Sequence, residues 1–215
     1  MTLQLYFHPL SSFSQKVLIA LYENETPFEP QILNFGDENS RNAFLRIWPM
    51  GKFPVLVDEA RDRTVPETSI IIEYLEQHYP GKTKLVPADP DRARQARMHD
   101  RFFDLYIDVP MQKIVGDRLR PQASRDPFGV DDARRQLSTA LSLVDQHMAS
   151  RQWAMGEEFT MADCAAAPAL WYANEVLPFM DTHKHATAYL RRLMARPSFA
   201  RALREAEPYQ SLFPR

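Results

Sequence analysis

The chain has 215 residues, 45% of them hydrophobic and 25% charged, enough apolar material for one large core or two smaller ones. A formal net charge of −2 offers no global attraction to nucleic acid or to an anionic membrane, and no uninterrupted apolar run approaches the ~20 residues that span a bilayer. The single cysteine, Cys164, excludes an intrachain disulfide and a cysteine-based metal site; with no basic or apolar leader over residues 1–6, a cytoplasmic protein is expected.

Leu3-Gln4-Leu5-Tyr6-Phe7 alternates loosely and predicts a first strand, which His8-Pro9-Leu10-Ser11-Ser12 breaks. Ser14 to Tyr22 predicts a helix with Val17, Leu18, Leu21 and Tyr22 at core spacing. Phe28 to Leu33 reads as a second strand, giving β-α-β and a parallel pair. A short helix is expected over Asn42 to Ile47, ahead of Pro49. Next comes Met50-Gly51-Lys52-Phe53-Pro54-Val55-Leu56-Val57. Proline has no N–H for a ladder, so Pro54 fits the entry to an edge strand or a tight turn, where an X–Pro bond can be cis. Polar Asp58 to Arg63 makes a hairpin connection, and Thr64-Val65 a short return strand ended by Pro66. Glu67-Thr68-Ser69 then opens a helix reaching about His78.

Residues 81–89 follow Pro80 with Gly81 and two lysines, and read as a linker between residues 1–80 and 90–215. Beyond it the pattern is entirely helical. Asp89 caps a long helix with Pro90 in its first turn, expected to break or kink at Pro110. A second runs from Asp131 to about Ser150, with Leu137, Leu141, Val144 and Met148 on one stripe. Two more cover roughly Met161 to Asn174 and His185 to Ala195, and Pro197 starts a last one. Thr160 with Asp163 three residues on forms a capping box, a structural motif rather than a chemical one.

Two segments carry possible chemistry. The loop His8 to Ser14 joins a strand's carboxyl end to a helix N-terminus, where α/β units place ligands. The helix start at Glu67-Thr68 offers free backbone N–H groups beside the turn at Phe53-Pro54 and the cation of Lys52. The bland reading of Ser11, Ser12 and Ser14 is capping, and that of Tyr6 is core packing. No Gly-rich phosphate loop, G-x-S-x-G elbow or complete metal set is present, and no metal is expected.

Lys52-Phe53-Pro54-Val55-Leu56, followed by Glu67-Thr68 opening a helix, resembles the glutathione-binding half of the cytosolic glutathione S-transferase family, in its bacterial, serine-type (theta-, phi- or zeta-like) members. The resemblance covers essentially the whole chain. It implies a thioredoxin-like β-α-β-α-β-β-α domain followed by an all-helical domain, and a glutathione transferase used in detoxification. In that family the proline is cis, the residue before it pairs its backbone with the cysteinyl part of glutathione, and an acidic residue followed by Ser or Thr holds the γ-glutamyl end. These roles fall on Phe53, Pro54, Glu67 and Thr68. The family's serine stands five residues before a basic residue and six before Val, as Ser11 does to Lys16 and Val17, with Ser12 next. The resemblance thus makes Ser11 or Ser12 the hydroxyl that stabilises the glutathione thiolate. It extends the glutathione site to Phe13, to Lys52 for the glycyl carboxylate, and to Asp100, reaching across a homodimer. Phe102, Tyr106 and Met111 are expected to line the pocket for a small hydrophobic electrophile, with Trp171 or Phe213 as further candidates. Phe53 stands where Val is commoner and Trp48 where Asn is usual. The alternatives are glutathione-dependent peroxide or disulfide reduction, isomerisation, or a non-catalytic partner-binding module. Ser-Ser-Phe-Ser resembles the isomerase loop except that Phe13 replaces its Cys.

Overall fold

Leu3–Phe7 (β1), Glu29–Ile32 (β2), Val55–Asp58 (β3) and Arg63–Pro66 (β4) form one sheet of order β2-β1-β3-β4 in a computed structural model that describes residues 3–34 and 36–214. β1 and β2 pair in parallel, as a β-α-β unit requires, while β3 runs antiparallel to both β1 and β4. Three helices complete this half: Ser12–Glu23 (α1), Glu38–Ile47 (α2) and Thr68–His78 (α3). The order is the predicted thioredoxin-like one. α2 starts four residues earlier than expected because Asp37 accepts from Asn39 N and Ser40 N and caps it. Pro54 does not enter an edge strand: β3 is central, and Pro54 lies just before its first ladder residue, so no ladder hydrogen bond is lost.

The second half is helical: Pro90–Phe102 (α4), Val109–Arg118 (α5), Pro127–His147 (α6), Met161–Val176 (α7), Lys184–Ala195 (α8) and Pro197–Ala206 (α9). The break expected at Pro110 is a single wide turn, Phe103–Asp108, that joins α4 to α5. Pro110 has no N–H to return to Tyr106, and the turn before it opens so that Val109 N–H reaches Asp104 O, five residues back.

Ala-rich α7 is buried on nearly every side, from Met161 to Leu170 without interruption, and packs against α1, α4, α5 and α8. Its capping box forms as expected. Asp163 Oδ2 accepts Thr160 N–H at 2.8 Å and Thr160 O–H at 3.3 Å, while Oδ1 accepts Ala154 N–H at 2.8 Å and Tyr189 O–H at 2.6 Å. α1 is not the one-sided amphipath its spacing suggested. α3, α7 and α9 all pack against it, so Gln15 and Lys16 are interior too. Lys16 Nζ lies 2.7 Å from Asp100 Oδ1, 2.8 Å from Asp104 Oδ2 and 3.0 Å from Ser69 Oγ, a buried ion cluster that ties α1 to α3 and α4. Among the described residues, no helix is long and apolar enough to cross a membrane.

Candidate functional site

The sheet register assembles the site. Tyr6 pairs with Val55, and Val55 with Pro66. One step along, the same register sets Phe7, Pro54 and Glu67 side by side at one end of the sheet. The loop after β1, the turn before β3 and the start of α3 therefore meet there. The Phe53–Pro54 peptide is cis. Glu67 has φ 69° and ψ 118°, a conformation that a non-glycine residue holds at a cost of about 1–3 kcal/mol when its surroundings demand it. Among the described residues no side chain caps α3, so its first N–H groups have no intrahelical or capping partner, an arrangement suited to an anion. Thr68 is buried behind Glu67, which is itself exposed.

Ser11 and Ser12 have different surroundings. Ser11 is the N-cap of α1 and accepts Ser14 N–H at 3.2 Å, which leaves its own proton to give. Ser12 is buried and donates to Asp108 Oδ2 at 3.1 Å; Gln112 Nε2 donates to the same oxygen at 2.9 Å. Burial pushes the Asp108 carboxyl up to about 7. His8 Nδ1 accepts Leu10 N–H, and burial lowers its pKa, so at neutral pH the imidazole beside the serines is uncharged.

A cavity of about 590 Å³ opens at this point. Ser11, Ser12, Phe53 and Met111 line it, with Phe213 among them, so these expected site residues do come together. His8, Leu10, Gln112, Val115, Leu119, Tyr172, Leu212 and Pro214 complete the wall, and none of these was singled out for it from sequence. The far wall is held by Phe213 stacked on Tyr172 at 5.4 Å and by Arg118 Nη1 donating to Pro214 O at 3.0 Å.

Other expected residues lie elsewhere. Phe102 and Tyr106 line a separate depression with Arg135, Thr139 and Leu143; they share a helix face that Met111, beyond the wide turn, does not. Asp100 does not reach outward: it is fully buried, held by Lys16 and by Ser69 O–H at 2.6 Å, and is not part of the cavity lining. Phe13 and Trp171 are half-buried and outside the cavity lining, and Lys52 is exposed on the loop before Phe53. Tyr6 points to the opposite face of the sheet from Leu5 and Phe7, packs against Phe44 at 6.2 Å and donates to Gln4; burial raises its pKa. Cys164 is fully buried and its thiol is pushed up by burial, so it is no nucleophile. Among the described residues no group of three or more His, Cys, Asp or Glu is placed to hold a metal ion.

Comparison with known proteins bears on both halves. Residues 5–83 match the family model of the glutathione S-transferase N-terminal domain, and residues 107–197 that of the C-terminal domain. A glutathione S-transferase of Pseudomonas putida is 28% identical over 217 residues, covering 98% of this chain and 96% of that one. Glutathione S-transferase 3 of Zea mays is 28% identical, covering 94% and 93%. A crystal structure of a glutathione S-transferase from Methylobacterium radiotolerans, in complex with glutathione sulfonate, superimposes with a TM-score of 0.82 at 30% identity, covering 94% of each chain. With both halves matched by models of one family, and a solved member alike over almost the whole length, the protein belongs to the glutathione S-transferase family.

Proposed function

We propose that the protein is a glutathione transferase in which Ser11, rather than Ser12, stabilises the glutathione thiolate for attack on a small hydrophobic electrophile. The observation that carries this reading is the meeting of the Ser11 loop, the Phe53–Pro54 turn and the Glu67–Thr68 helix start at one end of the sheet, over a largely apolar cavity. Residues 1–80 bind glutathione, residues 81–89 connect, and residues 90–215 supply the electrophile's wall. The γ-glutamyl end lies against Glu67, Thr68 and the uncapped start of α3, and the backbone of Phe53 pairs with the cysteinyl part. Lys52 faces the glycyl carboxylate. The Ser11 hydroxyl donates to sulfur and, with the N-terminus of α1 behind it, lowers a thiol pKa that is ordinarily near 8.5. The electrophile rests on Met111, Val115, Leu119 and Phe213.

Calorimetry with glutathione, and turnover of an activated aryl halide, test this reading. Glu67→Ala is expected to abolish measurable glutathione binding. Ser11→Ala is expected to keep the Kd within a few-fold but lose about 10²-fold in kcat/KM, the scale of one donor removed from a developing anion. Ser11→Thr, which keeps both cap and hydroxyl, separates that loss from the ~1 kcal/mol cost of the missing cap. A wild-type chain without affinity for glutathione overturns the reading.

The same reading includes a homodimer. Ile70, Met98, Tyr106 and Leu143 are exposed at 54%, 52%, 55% and 49%, an unusual amount of apolar surface for α3, α4, α6 and the wide turn to leave bare. Sedimentation at micromolar concentration is expected to give the mass of two chains; the mass of one chain removes the dimer from the proposal.

A further inference from the structure

Asp108 is a carboxylate that neither the helical pattern nor the proposed glutathione contacts account for. It is 2% exposed, on the last residue of the wide turn, directly behind the cavity wall. One oxygen, Oδ2, holds both Ser12 and Gln112, and both of those side chains line the cavity. The other, Oδ1, is buried with no hydrogen-bond partner among the described residues. Because the Ser12 proton is committed to Asp108, the lone pairs of Ser12 Oγ are what it presents to the cavity, where Gln112 Nε2 donates to it at a long 3.4 Å. Ser11 and Ser12 thus offer opposite functions at adjacent positions: a proton to give and a lone pair to receive one.

We infer that Asp108 is a positioning residue that acts through Ser12 as the final acceptor of the proton leaving the glutathione thiol. The inference rests on the glutathione reading above and adds to it the destination of the proton. In this step the S–H bond breaks and its electron pair stays on sulfur. The proton goes to Ser12 Oγ while the Ser12 proton passes along the existing hydrogen bond to Asp108 Oδ2. Ser12 is neutral before and after; the carboxylate becomes a carboxylic acid as sulfur becomes a thiolate. After the thiolate has displaced the electrophile's leaving group, the proton returns by the same path to that group or to cavity water. Gln112 keeps Oδ2 aimed at Ser12.

The surroundings suit a group that changes charge. Lys16 on α1 and the side chains of Ser12 and Gln112 favour the carboxylate; burial and the charge of Asp104, one turn earlier, favour the acid. On α7, Tyr172 has its own pKa raised by burial and by Asp108, and stays protonated. With its pKa raised to about 7, Asp108 is matched to a hydrogen-bonded thiol, as proton transfer requires. Below that pH the carboxyl already holds a proton and the route is closed.

The test follows bound-thiolate absorbance and kcat/KM against pH for wild type, Asp108→Asn, Ser12→Ala and the double variant, with circular dichroism as a check on folding. The wild-type profile is expected to fall on the acid side with a midpoint near 7. In Asp108→Asn, glutathione affinity is retained within a few-fold, kcat/KM at pH 7 drops roughly 10²-fold, and the thiol's midpoint moves up by about one pH unit or more. Ser12→Ala does the same, and the double variant is no worse than either alone. A folded, glutathione-binding Asp108→Asn with the wild-type pH profile overturns the relay; should that variant not fold, an unchanged profile in Ser12→Ala does so. A wild type that does not bind glutathione, or a Ser11→Ala variant that ionises the thiol normally, instead brings down the underlying reading.

Discussion

Asp163→Ala is expected to cost about 4–5 kcal/mol, a large part of the ~5–15 kcal/mol that holds a typical domain together. The carboxylate is fully buried and its two oxygens receive four hydrogen bonds, from Ala154 N, Tyr189 O–H, and both the N–H and hydroxyl of Thr160. Alanine leaves all four donors facing a dry interior at the start of α7, the helix on which both halves pack. Burial raises the pKa of Asp163 to about 6, so at neutral pH it is the acceptor-only form that the four donors need. Asparagine recovers only part of the loss, because its NH₂ replaces an acceptor with a donor facing donors. Urea unfolding followed by circular dichroism measures it; a loss under about 1.5 kcal/mol means that the interior has relaxed around the gap and the argument from unmet donors fails.

Lys16→Met is the second large effect, about 3–5 kcal/mol at pH 8. Methionine fills the space, but Asp100 and Asp104 then share a 1%-to-4%-exposed pocket in which, among the described residues, Arg101 is the one remaining cation partner, 3.4 Å from Asp104 and itself half exposed. The sign of its pH dependence is fixed. Burial and the charge of Asp100 already raise the pKa of Asp104, and without Lys16 it climbs further. A carboxyl whose folded pKa exceeds its unfolded value of about 3.9 takes up a proton on folding, so its penalty is present at high pH and is relieved as pH falls through the folded pKa. The deficit of Lys16→Met against wild type is therefore expected to shrink between pH 8 and pH 5. A gap of equal size at both pH values shows that the loss is one of packing, not of charge.

The features legible in the sequence were those whose cause is local. A cis-capable Pro at a strand entry, and Thr160 with Asp163 three residues on, each act within a turn or two, and each appears as expected; α3 also starts at Thr68 as expected, although its hydroxyls do not cap it. What could not be read depended on distant chain. Asp100 lies on a helix that is otherwise largely polar and reads as solvated; its partners Lys16 and Ser69 are 84 and 31 residues away, and α7, which packs on the same helix, is also far along the chain. Asp108 meets Ser12 across 96 residues and Gln15 meets Tyr172 across 157, so neither contact leaves a pattern in a short window. Pro54 could be placed at a strand entry, but whether that strand was central required the sheet order. Phe102 and Tyr106 line a different depression from the cavity that Met111 lines, because helical spacing gives neighbours along a face without saying which neighbour that face meets. The break expected at Pro110 marks the turn before it as irregular, and Asp108 stands two residues ahead of that proline, but a local break does not say which distant side chain the turn will meet.

That turn also bears on how the chain can change length. Phe103–Asp108 closes a wider ring than its flanks, which sets the phase between α4, carrying Asp100, and α5, carrying Met111 and Gln112. Removing one residue from it would turn one segment against the other by about 100°. The interior cluster around Lys16 and the cavity wall would then no longer face their partners together, although every side chain involved were still present. Insertions and deletions should therefore be rejected in these six residues far more strictly than substitutions, while the exposed stretch around residues 120–125 should accept them. A library of single-residue deletions along residues 95–125 would trace that boundary as a change in folding yield.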